Sequence, residues 1–516
     1  MLFYIPFVLL AFSLALCSVR YMHFFQLNSY KFAEHRVWMA RNRRELILLA
    51  VWAVISVASF TFRTLGGTLF LSVVILSYGL LAKPKSRKSS KKPLVYTPRV
   101  IRMLVSEALI FVLSAAVFLI FFPRALLPAF VAVWLLAGPY LCLAANVVNA
   151  PVEKGIRRGY TKEAISMLRS HPNLRVVGIT GSYGKTSTKY YLSALLSERF
   201  DVLMTPGSYN TPMGVVKTVR ESLRPTHEVF ICEMGAKYVG DIKELCEIVE
   251  PSIGIISSIG IQHLDTFGTV ENIVSTKLEL LDYLESVGGK TVLGGGELIE
   301  RSVKPGEGRI FCGEKGDLRI SDVSADERGT SFVVTDRNGN SFPLTVQLLG
   351  AHNVSNVAAA VAVALEMGLT PDEIIRGARK IRCAPHRLEI KQAGGDVIID
   401  DAYNANPAGT KAALAALGLF KNDCRIIVTP GMVELGEEGQ SFNKTLGRDA
   451  AAVCDYIYLV GRYASDSIRA GAVEAGFPGD RICIYDKVED AIAGARSADT
   501  SRRRVILLEN DLPDNY

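Results

Sequence analysis

At 516 residues the chain is long enough for three or four domains of ordinary size. Its formal charge of +7 is unevenly placed: residues 1–150 hold 16 Lys/Arg against three Asp/Glu, so the remaining 366 carry about −6, and they show no basic patch for nucleic acid. The nine cysteines are scattered with no C-x-x-C spacing, which suits a reducing compartment and argues against both a disulfide framework and a structural zinc site.

Five mainly apolar runs come first, at 2–19, 46–62, 64–82, 103–122 and 125–148. Each is about long enough to cross a ~30 Å hydrocarbon core as a helix. The first also has the length of a signal peptide, but no basic segment precedes it, no small-residue cleavage site is clear, and four more runs follow. Residues 20–45 carry six basic residues and 83–102 carry eight, whereas the turns at Arg63 and Arg124 carry one each. The positive-inside rule then predicts a multi-pass plasma-membrane protein with its N-terminus outside and everything after 148 in the cytoplasm, where ATP is. The stretch 83–102 could bind anionic lipid head groups, but a topology signal already requires such charges. Glu107, the one acid in these runs, could snorkel to the nearby cytoplasmic end, a reading preferred over that of a buried functional carboxylate.

A linker is expected at 149–164, NAPVEKGIRRGYTKEA, and then an α/β pattern begins. Residues 175–179 read as a strand and 187–200 as a helix, with GITGSYGKT (178–186) between them. A glycine-rich loop entering a helix aims backbone N–H groups and the helix dipole at one spot, which suits a polyphosphate. Gly181, Ser182, Gly184, Lys185, Thr186 and Ser187 form the candidate nucleotide site, with Lys185 reaching the β/γ-phosphates and Thr186 offering a hydroxyl to Mg²⁺. The strict P-loop pattern requires glycine where Ile179 stands, so the match is to a TGxxGKT variant. A glycine-rich turn with a chance lysine is the bland alternative, and the strand-to-helix placement disfavours it.

The strand 229–232 delivers Glu233 to a sheet edge beside this loop, where a nucleotide-bound Mg²⁺ needs a carboxylate. His263 and Asp265 follow the next strand, and His263 is either a further metal ligand or a structural histidine. Thr269 reads as the N-cap of a helix at 270–284 whose apolar stripe includes Lys277. A buried lysine loses its proton more easily, and a neutral amine can add CO₂ to give a carbamate, an anionic metal ligand. The alternative is a lysine that snorkels out or pairs with a carboxylate.

Residues 291–349 read as a β extension with a hairpin at Asn338-Gly339, followed by a helix closed by Gly368 whose start offers His352, Asn353 and Asn356. From 386 onward a second alternating pattern predicts a small doubly wound domain, with Asp400, Asp401, Asn404 and Asn406 on one of its loops.

The stretches TGSYGKTSTK, SYNTPMGV, EMGA, IGIQHLDTFG, STKLEL, GAHNVSNVAAA, HRLE, DDAYNANP and GMVELG, in that order, resemble the Mur ligases, the ATP-dependent amide-bond-forming enzymes of peptidoglycan synthesis. Within the family the resemblance is greatest to the branch that adds D-alanyl-D-alanine to UDP-N-acetylmuramoyl-tripeptide. After the α-helical membrane region that the apolar runs predict at 1–150, it implies a central P-loop ATP-binding domain at 151–385 and a Rossmann-like C-terminal ligase domain at 386–516. It further implies that Lys185, His263 and Lys277 serve catalysis and that one or two Mg²⁺ are held by Thr186, Glu233, His263 and a carbamylated Lys277. Asn356, Arg387 and Asp401 would contact adenine, phosphate and ribose. The implied partners are a cell-wall precursor and an amino acid or dipeptide; the apolar runs add membrane lipid, and the charge distribution predicts no nucleic acid. Two departures stand out: the five apolar runs occupy the place of the family's UDP-gripping domain, and RVILLENDLPDNY lacks a KGS-type segment. They leave open a lipid-linked acceptor, a poly-γ-glutamate type of polymer, and a non-catalytic nucleotide-binding module.

Overall fold

The structure, a computed structural model, describes residues 5–28, 30–58, 65–81, 93–260, 264–403, 405–433, 435, 438–499 and 501–510. The chain divides into two compact units, 1–159 and 160–516.

The first unit is helical: Ile5–Leu27, Phe32–Arg41, Arg43–Ala58, Leu65–Leu81, Pro98–Phe121, Leu127–Ala137 and Leu141–Arg169, the last continuing past residue 159. Among the described residues three stretches, Ile5–Leu27, Pro98–Phe121 and Arg124–Arg169, are long and apolar enough to cross a membrane. The runs expected at 46–62 and 64–82 contain the shorter apolar helices Leu46–Ala58 and Leu69–Leu80. Residues 59–64 and 82–92, with most of the basic stretch, lie outside the described residues. The run expected at 125–148 is broken by a 3₁₀ turn at Gly138–Tyr140, because Pro139 has no N–H to continue the helical ladder.

Two segments differ from expectation. The linker expected at 149–164 is helical, inside Leu141–Arg169 and with Pro151 accommodated in it. The Lys, Arg, Glu and Ala residues that follow favour helix, and Ala164 and Leu168 are buried in an apolar core. Glu107 does not snorkel. It shares a helix face with Val100 and Met103 and is only 3% exposed, because the helix Pro98–Phe121 packs against Ile5–Leu27.

The second unit holds two sheets. The strands of the first are β1 (Arg175–Thr180), β2 (Val202–Met204), β3 (Val229–Glu233), β4 (Ile253–Ile256), β5 (Lys290–Leu293), β6 (Arg309–Gly313), β7 (Leu318–Asp326), β8 (Gly329–Thr335) and β9 (Ser341–Val346), in the order β2-β3-β1-β4-β5-β6-β7-β8-β9. Strands β2 to β6 run parallel, and β7, β8 and β9 form the expected antiparallel extension. Central strands β1 and β3 are buried along nearly their whole length, as continuous apolar strands covered on both faces must be. One face is covered by the helices Lys185–Leu196, Val354–Glu366 and Pro371–Lys380, which bury Leu192, Leu195, Val357, Val361 and Ile374. The other is covered by Pro212–Ser222, Asp241–Val249 and Val270–Val287, which bury Val219, Leu245, Ile273 and Leu280.

The second sheet comprises β10 (Glu389–Ala393), β11 (Asp396–Asp401), β12 (Cys424–Thr429), β13 (Tyr456–Val460), β14 (Ile482–Tyr485) and β15 (Arg504–Glu509), in the order β10-β11-β15-β12-β13-β14. All pairings but β10–β11 are parallel, as a doubly wound sheet requires. Two of its helices, Gly439–Val453 and Val488–Ser497, were not anticipated from the sequence.

Candidate active site

The loop between β1 and the helix Lys185–Leu196 is shaped by two glycines. Gly181 has φ +145° and Gly184 has φ +81°, conformations that side chains disfavour. A Cβ at Gly181 would lie 2.2 Å from Ser257 Oγ, and one at Gly184 would lie 2.4 Å from Asn356 Oδ1. The loop thus approaches both the β4 end and the start of the Val354–Glu366 helix as closely as backbone alone permits, and the second contact brings Asn356 to the candidate nucleotide site.

Ser182 is spent on tying the loop down: its hydroxyl donates to the Gly260 carbonyl (2.8 Å) and accepts the Gly260 N–H (3.0 Å). Lys185 folds back and donates to the carbonyls of Gly181 (2.7 Å) and Ser182 (3.2 Å). Burial, assisted by the Arg387 charge and opposed by Glu233, brings its ammonium down to about 8. An anion bound in the loop would relieve that burial penalty.

Glu233, at the end of β3, is the polar centre of the site and is 1% exposed. Its Oε1 accepts from the Thr186 hydroxyl (3.0 Å) and from Asn210 Nδ2 (3.1 Å), and its Oε2 accepts from Lys189 Nζ (2.9 Å). Lys189 is fully buried and also donates to the Gly207 carbonyl (2.5 Å). A P-loop hydroxyl hydrogen-bonded to a strand-end carboxylate is a donor set that fits Mg²⁺.

Lys277 lies on the buried face of the helix Val270–Val287, whose N-cap is Thr269 as expected. The residue is 4% exposed, and its ammonium is 6.0 Å from the centre of the Phe267 ring. That burial leaves no exposed head group to snorkel, and among the residues whose side chains are described no carboxylate forms an ion pair with it. Burial, followed by the Lys185 charge, brings its pKa down to about 7, against weaker pulls from Asp241 and Glu279. At neutral pH a large share of this amine is neutral and nucleophilic.

The helix Lys185–Leu196 also carries Thr188, which donates to Asn356 Oδ1 (3.4 Å), and Tyr191, which donates to Asn353 Oδ1 (2.9 Å) with Ser187 within reach of its hydroxyl. Just ahead of β10, Arg387 packs its guanidinium 4.4 Å over the Tyr403 ring, and its charge disfavours the ammonium forms of Lys185 and Lys189. Asp401 accepts the Leu388 N–H (3.1 Å) and is raised to about 6, mainly by burial. His263 and Asn404 lie outside the described residues. Lys189 and Asn210 had no role in the sequence reading, although both stand in its motif stretches: Lys189 is one helical turn beyond Lys185.

A P-loop whose threonine is bonded to a strand-end carboxylate, joined in one unit to a second, Rossmann-like sheet, defines a nucleotide-binding α/β protein. Two sequence-family profiles match: the Mur ligase middle domain over residues 179–364, and the Mur ligase glutamate ligase domain over 386–509. The chain belongs to the Mur ligase family of ATP-dependent ligases. It is 31% identical over 325 residues to the UDP-N-acetylmuramoyl-tripeptide–D-alanyl-D-alanine ligase of Bacillus subtilis, covering 62% of this chain and 70% of that one. It is 32% identical over 335 residues to the enzyme of the same name from Mycobacterium bovis, covering 62% and 65%. Among solved structures, MurF from Thermotoga maritima in complex with ADP superimposes with a TM-score of 0.60 at 27% identity, over 69% of this chain and 80% of that chain. Residues ahead of 179 are matched by neither profile.

Proposed function

We propose that the enzyme joins D-alanyl-D-alanine, or a related amino acid or dipeptide, to a carboxylate of a peptidoglycan precursor with consumption of ATP. The bond from Thr186 to Glu233 carries this reading most directly, because it builds a metal-nucleotide site at the loop that cradles phosphate. Gly181, Gly184, Lys185, Thr186 and Ser187 surround the polyphosphate, Asn356 takes the adenine, Arg387 a phosphate and Asp401 the ribose. Thr186, Glu233, His263 and a carbamylated Lys277 would hold one or two Mg²⁺, which when bound supply neutralising charge to the phosphates. Lys185 neutralises charge that develops as the γ-phosphoryl group passes to the acceptor carboxylate, giving an acyl phosphate. The amine then attacks the acyl carbon and phosphate leaves. Arg387 and Asp401, on the C-terminal domain, would close over the nucleotide and exclude water from the acyl phosphate.

The domain boundaries that fit this reading are 1–150 for a membrane region of five spans, 151–385 for the central domain and 386–516 for the C-terminal domain. The protein is then a multi-pass plasma-membrane enzyme with cytoplasmic catalytic domains. The apolar helices ahead of residue 179 favour a second reading of the acceptor, as a lipid-linked rather than a UDP-linked precursor: a polyprenyl tail would partition into the bilayer, and confinement to its plane raises effective concentration. The test is ADP release by the full-length chain in lipid vesicles, with D-alanyl-D-alanine and the same peptide presented on UDP-linked or lipid-linked acceptors. Turnover with neither acceptor overturns the ligase reading of the substrate. Preference for the UDP-linked form overturns the lipid-linked one.

A further inference from the structure

Beyond the residues assigned to the nucleotide, a second carboxyl group stands behind one of them. Strands β11 and β15 are parallel neighbours whose register pairs Asp401 directly with Glu509, so the two side chains leave the same face of the sheet at its carboxyl edge. Glu509 is 1% exposed. Its Oε1 accepts the Thr410 hydroxyl (2.8 Å) from the helix Pro407–Leu417. Its Oε2 is buried and has no hydrogen-bond donor among the described residues. What lies within hydrogen-bonding reach of Glu509 is the carboxyl group of Asp401, itself held by the Leu388 N–H. The next residue, Asn510, reinforces the edge: its N–H donates to the Asp401 carbonyl (3.2 Å), and its Nδ2 donates to the Gly431 carbonyl (2.7 Å) after β12.

Two carboxylates side by side, one of them out of water, cannot both be ionised at modest cost. The other charged groups around the pair do not supply the missing donor. Arg387 acts on Asp401 through its charge, and Asp400 adds repulsion. Asp400 is in turn paired with Lys391 (2.5 Å) and hydrogen-bonded to His386 Nδ1 (2.9 Å), contacts that go to Asp400 and not to Glu509.

We infer that Glu509 is a positioning residue that carries a proton, shares it with Asp401, and thereby holds Asp401 ionised and oriented toward the nucleotide ribose. This rests on the assignment of Asp401 to the ribose proposed above. It also gives a role to the sequence Glu509-Asn510 in the C-terminal stretch that departs from the family pattern. Deprotonation of the pair places two negative charges together, displaces the Asp401 carboxylate and weakens nucleotide binding as pH rises. Because the folded chain keeps a proton that the unfolded chain releases, folding stability also declines with rising pH over the same range.

The experiment measures equilibrium ADP binding to the full-length chain as pH is raised from mildly acidic to alkaline, with thermal melting at each pH as the control for folding. The wild type is expected to lose affinity by about tenfold per pH unit once the pair deprotonates, the slope of one linked proton. Glu509→Gln, which keeps the shape and a permanent N–H donor, is expected to bind at least as well and to lose the decline. Glu509→Leu should bind weakly at every pH. The infrared spectrum of the wild type at neutral pH should contain a protonated-carboxyl C=O band that E509Q lacks. A wild-type pH profile that survives unchanged in E509Q, or the absence of that band, overturns the inference. Asp401→Asn separates the two layers: weak binding at all pH values supports the ribose assignment, whereas wild-type binding overturns that assignment and the positioning role with it.

Discussion

Lys189 Nζ lies 2.9 Å from Glu233 Oε2, and the two side chains are 0% and 1% exposed. This ion pair sits directly behind the hydroxyl and carboxylate that face the nucleotide loop. It fixes which oxygen of Glu233 is turned toward Thr186 and Asn210, and through the Gly207 carbonyl it anchors the segment that carries Asn210.

Breaking such a pair leaves an uncompensated buried charge. Lys189→Met should therefore lower unfolding stability by about 3–5 kcal/mol, measured by denaturant titration. The double variant Lys189→Met/Glu233→Gln should recover much of that loss while remaining inactive. If the single variant is as stable as the wild type, the pair is not the structural centre described.

Lys185→Ala removes a charge that matters most as phosphoryl transfer develops, since in the free enzyme the ammonium only closes onto its own loop carbonyls. Acceptor-dependent ADP release should fall by about 10²- to 10³-fold or more, with an unchanged melting temperature. Normal turnover would remove the phosphate-site assignment.

Gly184→Ala places a methyl group 2.4 Å from Asn356 Oδ1 at a backbone φ of +81°. The expected result is loss of nucleotide binding and about 1–2 kcal/mol of stability. Adding Asn356→Ala relieves the clash but leaves the backbone strain, so the double variant should regain part of the stability and no nucleotide affinity. Equilibrium ADP binding and thermal melting read the two effects separately.

For Lys277 the sign of the pH dependence is fixed by its depressed value of about 7 against 10.5 for an ordinary lysine. Between those values the unfolded chain binds a proton that the folded chain does not, so stability rises with pH over that window and is lowest below about pH 7. In CO₂-free buffer, Lys277→Met should be more stable than the wild type near neutrality by about 1–3 kcal/mol, and the pH slope should flatten. Lys277→Ala should be nearly inactive and should recover partly when a short-chain carboxylate is added, because that anion can stand in for a carbamate. Wild-type activity should rise with bicarbonate and with pH through about 7, where the amine becomes neutral. Full activity of the alanine variant, or no response to bicarbonate, would assign Lys277 to packing.

What the sequence determined was carried by local rules. The loop GITGSYGKT between a strand and a helix, the strand-end Glu233, the N-cap Thr269, the hairpin at Asn338-Gly339 and the alternation after residue 386 each depend on residues close together in the chain, and each forms as expected. The apolar runs were equally legible, since hydrophobicity needs no partner to be read. Tertiary structure decided matters of proximity and burial. Periodicity put Lys277 on an apolar stripe, but only packing against the sheet shows it buried to 4% exposure. Glu107 could be read as snorkelling until its helix was placed against Ile5–Leu27. Lys189 finds Glu233 44 residues away, and Glu509 meets Asp401 across a strand pairing 108 residues apart in sequence. Pairings of that kind follow from the strand order β3-β1 and β11-β15, and a charge or a proton acquires its energetic meaning only once those neighbours have excluded water from around it.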